Sequence, residues 1–161
     1  MLKKVVAAIG VALGLGACSR AADSVQIGTA RMRLPTGWVI EKETAELKIV
    51  RSADGRQQAT LSVIQVSPTA GLEGFERLCR LRIEVEKREL TDGFVEPDAP
   101  FTHERGFGMF FSGGDRKVPR VFSGYLSLHS GELITIYVES VGVDPREHLE
   151  CFKSWALGLE R

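Results

Sequence analysis

The hydrophobic pattern of this 161-residue chain predicts an α+β fold: an antiparallel β-sheet of about six to seven strands with two main helices packed on it. Three observations carry the prediction. Apolar residues alternate with period two before residue 66 and again over residues 101–140. Between and after those blocks the spacing changes to three and four. The links between alternating runs are short and rich in Gly, Asp and Ser, which close hairpins rather than long crossovers.

Val25–Leu34 alternates weakly and reads as one strand. It is ended by Pro35-Thr36-Gly37, where Pro pre-sets φ and Gly relieves a tight backbone. Trp38–Glu41 and Glu46–Arg51 are short strands; in the second, Leu47 and Ile49 point one way and Glu46 and Lys48 the other. Asp54-Gly55 between two alternating runs marks a hairpin. The returning strand, Gln58–Val66, puts Ala59, Leu61 and Val63 on one face and Thr60 and Ser62 on the other. From about Gly71 to Glu89, Leu72, Phe75, Leu78, Cys79 and Ile83 recur at helical spacing, and the Glu and Arg between them make a solvated face.

Thr91–Pro100 is a loop by composition, with Gly93, Pro97 and Pro100. Three long strands follow, Phe101–Phe111, Val118–Leu128 and Leu133–Ser140, joined by Ser112-Gly113-Gly114-Asp115 and Ser130-Gly131. In the last strand Ile134, Ile136 and Val138 take one face and Leu133 and Tyr137 the other. Apolar residues on both faces imply a central place in the sheet. Asp144-Pro145, a cap and an N1 proline, opens a helix with Leu149, Phe152, Trp155, Ala156 and Leu159 on its apolar face.

Ahead of the domain, Met1–Cys18 opens with Lys3 and Lys4, continues as an apolar run and ends in small residues before a cysteine. That is the make-up of a secretory signal peptide, and it falls short of the ~20 apolar residues that span a bilayer core. Leu15-Gly16-Ala17-Cys18 looks like the lipobox of bacterial lipoproteins. The resemblance implies cleavage before Cys18 and acylation of both its thiol and its new amine, enough chains for stable anchoring. Ser19 stands where an aspartate would favour inner-membrane retention, which points to the outer membrane, facing the periplasm. The chain then divides into a signal peptide (1–17), a lipid-anchored tether (18–24) and one α+β domain (25–161).

The whole chain balances 21 basic against 21 acidic residues. Removal of residues 1–17 takes Lys3 and Lys4 and no acid, leaving 19 basic against 21 acidic residues, a net charge of −2. Such a domain lacks the clustered basic face that nucleic acid demands, so no nucleic-acid partner is expected. With Cys18 assigned to the lipid, Cys79 and Cys151 remain in an oxidising compartment. A disulfide and two buried free thiols both fit that pair.

Leu34-Pro35-Thr36-Gly37-Trp38 is similar to the P-x-G-W opening of PsbP-like, Mog-like and DcrB-like domains. Gly131–Tyr137, followed by a helix with Phe152 and Trp155, is similar to their close. The resemblance covers about Val25 to Leu159 and marks a fold rather than a site. The group includes extrinsic photosystem subunits, a Ran-binding protein, bacterial lipoproteins, and chaperone or immunity proteins of toxin secretion systems. It therefore implies a binding module.

No catalytic constellation emerges from the residues themselves. Gly106-Phe107-Gly108 lacks the third glycine and following helix of a dinucleotide loop, and no G-x-S-x-G, P-loop, H-E-x-x-H or EF-hand pattern occurs. His103 and Glu104 are neighbours in a strand and point to opposite faces. His129 shares a face with Ser127 but without an orienting third group. His148, flanked by Glu147 and Glu150, reads as helix surface. The expectation is no enzyme, no cofactor and no metal.

Candidate partner-binding residues are Asp92, Phe94, Val95, Glu96 and Asp98, in an acidic, proline-rich stretch whose apolar side chains fall outside any periodic stripe. The alternative is that Phe94 and Val95 fold back over the sheet edge. Asp115 and Arg116, at a charged hairpin tip, are the second candidate. The functional expectation is a membrane-anchored, non-catalytic protein-binding module, most concretely an immunity protein or inhibitor of a periplasmic toxin or cell-wall hydrolase. A structural or assembly lipoprotein of an envelope complex is the alternative. A small-ligand binder or hydrolase with a cryptic site is the third reading.

Overall fold

Among the described residues, extended segments build eleven strands and two amphipathic stretches build helices. In chain order these are β1 (Arg20–Ala21), β2 (Ser24–Ile27), β3 (Ala30–Arg33), β4 (Val39–Glu43), β5 (Leu47–Arg51), β6 (Gln57–Gln65), α1 (Leu72–Glu89), β7 (Gly93–Pro97), β8 (Phe101–His103), β9 (Gly106–Asp115), β10 (Arg120–His129), β11 (Glu132–Val141) and α2 (Pro145–Ala156). The computed structural model describes residues 20–21, 23–67, 71–104, 106–117, 120–142 and 145–159. The signal peptide, the lipobox with Cys18, and the Asp144 cap lie outside the described residues.

The main sheet is antiparallel, in the order β1-β4-β5-β6-β11-β10-β9-β7, with β8 also paired to β9. β2 and β3 form a separate hairpin. One face of the sheet packs Phe75, Cys79 and Ile83 of α1 against Met109, Phe111, Phe122, Leu126 and Tyr137. The other face packs the β2–β3 hairpin and α2, whose Phe152 and Ala156 are fully interior. The α+β class is as expected, and β11 is central, with Ile134, Ile136 and Val138 facing the hairpin side and Leu133 and Tyr137 facing α1.

The sheet has more strands than expected, for physical reasons that can be named. Val25–Leu34 is not one strand. Gly28 at φ +57° turns it back on itself, and a two-residue turn keeps Val25, Ile27, Ala30 and Met32 on the same buried side. Glu132 fixes that turn by accepting from the Thr29 amide and hydroxyl. The expected tether over 18–24 is already paired at Arg20–Ala21, against Ile40 and Val39.

The run Phe101–Phe111 is broken at Gly106, whose φ of +129° reverses the chain so that His103 pairs with Gly106 itself. Ser112-Gly113-Gly114-Asp115 is strand rather than turn. Aromatic rings fill the space beside the neighbouring glycines instead: a Cβ on Gly124 would sit 1.9 Å from the Phe111 ring, and one on Gly113 2.4 Å from Phe122. Lys48, with Val50, is on the buried side of β5, where its ammonium meets Glu43 at 3.1 Å, while Leu47 and Ile49 are half-exposed.

The sequence left a disulfide and two thiols equally open; both thiols are free. Cys79 is on the buried face of α1 and Cys151 on α2, so a whole sheet separates them, with each helix layer ~10 Å from it. Burial pushes the Cys79 thiol up to about 12, so it carries almost no thiolate at neutral pH. In the folded domain a thiol reagent is expected to label Cys151 rapidly and Cys79 only after denaturation. Equal labelling of both in the native state would contradict this placement.

Candidate functional site

The residues nominated as partner-binding converge on one edge of the sheet. Asp92–Pro100 is not a loop: Gly93–Pro97 is β7, paired in register with Asp115–Phe111 of β9. The glycine that suggested a loop is there because a Cβ would meet Leu90 at 2.5 Å and the Gly114 carbonyl at 2.7 Å. The proline is tolerated because β7 is an edge strand. Strand alternation then divides the candidates. Val95 turns inward and is core, next to Met109 and Phe111. Phe94 is half-buried, while Glu96 and Asp98 are exposed.

The second candidate pair joins the first. Asp115 accepts from the amides of Thr91 at 3.2 Å and Lys117 at 2.9 Å, and the Arg116 amide donates to the Asp92 carbonyl at 3.0 Å. Asp98 closes the other end of the edge, its amide on the Phe110 carbonyl and its carboxylate 2.9 Å from Lys153 of α2.

Sequence reasoning missed the concavity beside this edge. Between α1 and the 97–100 link runs a groove of about 540 Å³. Its floor is apolar: Cys79, Ile83 and Met109, with Pro97 and Pro100 along one side. Glu76, Arg80, Glu84 and Lys87 of α1 form the opposite rim. The helical spacing of those residues was readable; that the strand after the helix returns along the same edge was not. The Glu76–Arg80 pair, at 4.0 Å and well exposed, contributes little to stability, so both side chains are available to a partner at small cost.

Farther along α1 a closed charge network ties the helix to the sheet. Arg82 pairs with the buried Glu86 and lies 5.8 Å from the centroid of the Tyr137 ring. Arg120 donates to the Tyr137 hydroxyl at 3.1 Å and pairs with Glu139. Burial drives the Glu86 carboxyl up against the opposing pull of Arg82. Burial and the two carboxylates drive the Tyr137 phenol far above its usual range, so it stays neutral. Two arginines and two glutamates balance, and the arrangement reads as a clamp rather than a ligand site.

His148 is not surface: it is buried beneath α2, with Nδ1 3.0 Å from the Ser123 hydroxyl, and both side chains are shut away from solvent. Among the described residues no set of three or more His, Cys, Asp and Glu side chains could hold a metal ion.

Burial holds the His148 pKa below the ordinary histidine range. The unfolded chain therefore takes up this proton first as pH falls, and stability present above ~6.5 is lost below it. The urea midpoint should fall between about pH 7 and about pH 5.5, and His148→Gln should flatten that slope. An unchanged slope in the variant would assign the acid sensitivity elsewhere.

No protein-family model matches the chain, and no curated protein matches it by sequence. Solved structures do match it. The solution structure of cyanobacterial PsbP (CyanoP) from Synechocystis sp. PCC 6803 superposes with a TM-score of 0.60 at 14% identity, covering 94% of this chain and 98% of that one. The Ran-binding protein Mog1p of Saccharomyces cerevisiae superposes with a TM-score of 0.56 at 8% identity, covering 87% of this chain and 96% of that one. At these identities the likeness concerns the backbone. The chain has a PsbP-like, Mog-like fold.

Proposed function

We propose that this chain is a lipid-anchored, non-catalytic protein-binding module of the bacterial envelope, held by Cys18 in the outer membrane and facing the periplasm. Its most concrete role is that of an immunity protein or inhibitor that occludes a toxin or cell-wall hydrolase. The observation that carries this reading is the groove of about 540 Å³ beside the β7 edge, which has an apolar floor and a rim of mixed charge. Such a site suits a protein segment: the floor takes apolar anchors and the rim selects among partners. The nucleophile nearest to hand, Cys79, is held as the neutral thiol, which favours occupancy over chemistry. A neighbour in fold is named for binding another protein, Ran, and this supports the same class of role.

The test is capture from envelope extract by the soluble domain, followed by assay of the captured protein's activity with and without the domain. Stoichiometric capture with loss of the partner's toxicity or hydrolytic activity is the expected result. Capture of an envelope complex whose activity is unaffected would replace inhibition with an assembly role. Turnover of a cell-wall or ester substrate by the domain itself would contradict the binding reading altogether.

A further inference from the structure

β1 lies on the outer edge of β4, and its first residue, Arg20, follows Cys18 by two positions. Two residues of extended chain reach at most about 7 Å. On the proposed acylation of Cys18, on which this inference rests, the anchor holds the β1–β4 edge within that distance of the bilayer.

The hairpin that follows supplies a surface suited to that position. Val25, Ile27, Ala30 and Met32 turn into the core, so Ser24, Gln26, Arg31 and Arg33 share the outward face. Among these four strand residues are two cations and no acid. Arg31 and Arg33 line a shallow recess of about 290 Å³ with Ser24 and Asp23, and Arg31 Nε donates to the Ser24 hydroxyl at 3.0 Å. Asp23 is the one carboxylate among the residues that line this recess, against two guanidinium groups. Guanidinium is the side chain best matched to phosphate oxygens, and basic groups near a membrane are drawn to anionic headgroups.

We propose that the β1–β4 edge and the outward face of the β2–β3 hairpin rest on an anionic phospholipid surface, with Arg31 and Arg33 against headgroup phosphates. The partner groove then stands at the far corner of the domain. It is on the opposite face of the sheet from the hairpin, and its edge strand β7 is the last of the eight in the order that begins with β1. At ~4.8 Å per strand that separation is roughly 34 Å. Anchor and groove are thus diagonal opposites, which leaves the groove open to a partner arriving from the periplasm.

The test uses the full acylated chain in phosphatidylglycerol-containing vesicles, with Cys151→Ser to remove the exposed thiol. A fluorescent donor is placed at Gln26→Cys or at Glu96→Cys, and an acceptor on the lipid headgroup. Strong transfer from position 26 and weak transfer from position 96 is expected, with Arg31→Gln plus Arg33→Gln, or added salt, reducing the difference. Equal transfer from the two positions would overturn the orientation. A difference untouched by the double variant would overturn the role of the arginines. A chain that fails to float with the vesicles would contradict the acylation itself, a separate failure visible before any transfer is measured.

Discussion

Phe75→Ala is expected to destabilise the domain by about 3–5 kcal/mol, the range for deleting a buried phenyl ring and leaving a cavity. The buried stripe of α1 is short: Phe75, Cys79, Ile83 and Glu86. Cys79 is small, and Glu86 is a carboxylate whose burial opposes its charge. Phe75 is fully buried, with its ring stacked on Phe107 of β9 at 5.9 Å. The first turns of the helix therefore depend on one side chain. The N-cap is Gly71 with no side-chain hydrogen bond, so no capping group substitutes for the lost packing. Urea unfolding would give the magnitude, and hydrogen exchange would locate it. Protection over residues 72–89 should be lost before that of β10 and β11. A midpoint shift equivalent to less than about 1 kcal/mol would show that α1 docks by other contacts.

Gly106→Ala is expected to cost about 2–4 kcal/mol, from strain at a disfavoured dihedral together with a backbone overlap. At φ +129° the residue holds a conformation that side chains rarely adopt, and a Cβ would lie 2.0 Å from the Leu128 carbonyl oxygen. That oxygen belongs to β10 and cannot swing away as the end of a side chain could. Gly55→Ala supplies the control. It also has positive φ, at +71°, but nothing lies within 4 Å of the added carbon. Its cost should be the left-handed penalty alone, about 1 kcal/mol. Equal effects at the two glycines would mean that dihedral preference, and not the approach of β10, fixes the β8–β9 reversal.

Gly106 also shows where the sequence stopped being informative. Alternation located β6, β10 and β11 closely, because each has a neighbour on both sides and buries a regular set of side chains. Ser130-Gly131 was readable as a turn, and both residues have positive φ. The glycines of β9 and β10 carried a different meaning. Gly113 and Gly124 are not turn residues but gaps that admit the Phe122 and Phe111 rings, a role visible only once the strands are paired. Gly93 and Pro97 misled in the same way, since an edge strand tolerates what a central strand excludes. The candidate residues themselves were found in two separated stretches, Asp92–Asp98 and Asp115–Arg116. Their union on one edge is a consequence of β7 pairing with β9. The groove behind that edge was not legible, because it requires the position of α1 across strands that are distant in sequence.

The central claim is that this edge and groove bind a protein partner. Titration calorimetry of the captured partner against the wild-type domain and against Glu84→Lys and Arg80→Glu/Lys87→Glu, all on the groove rim, tests it most directly. A one-to-one complex is expected, weakened about tenfold to a hundredfold by either change, about 1.4–2.8 kcal/mol. The variants should keep wild-type unfolding midpoints, since Arg80, Glu84 and Lys87 are exposed. Unchanged affinity in both correctly folded variants would place the partner on another surface and contradict the account.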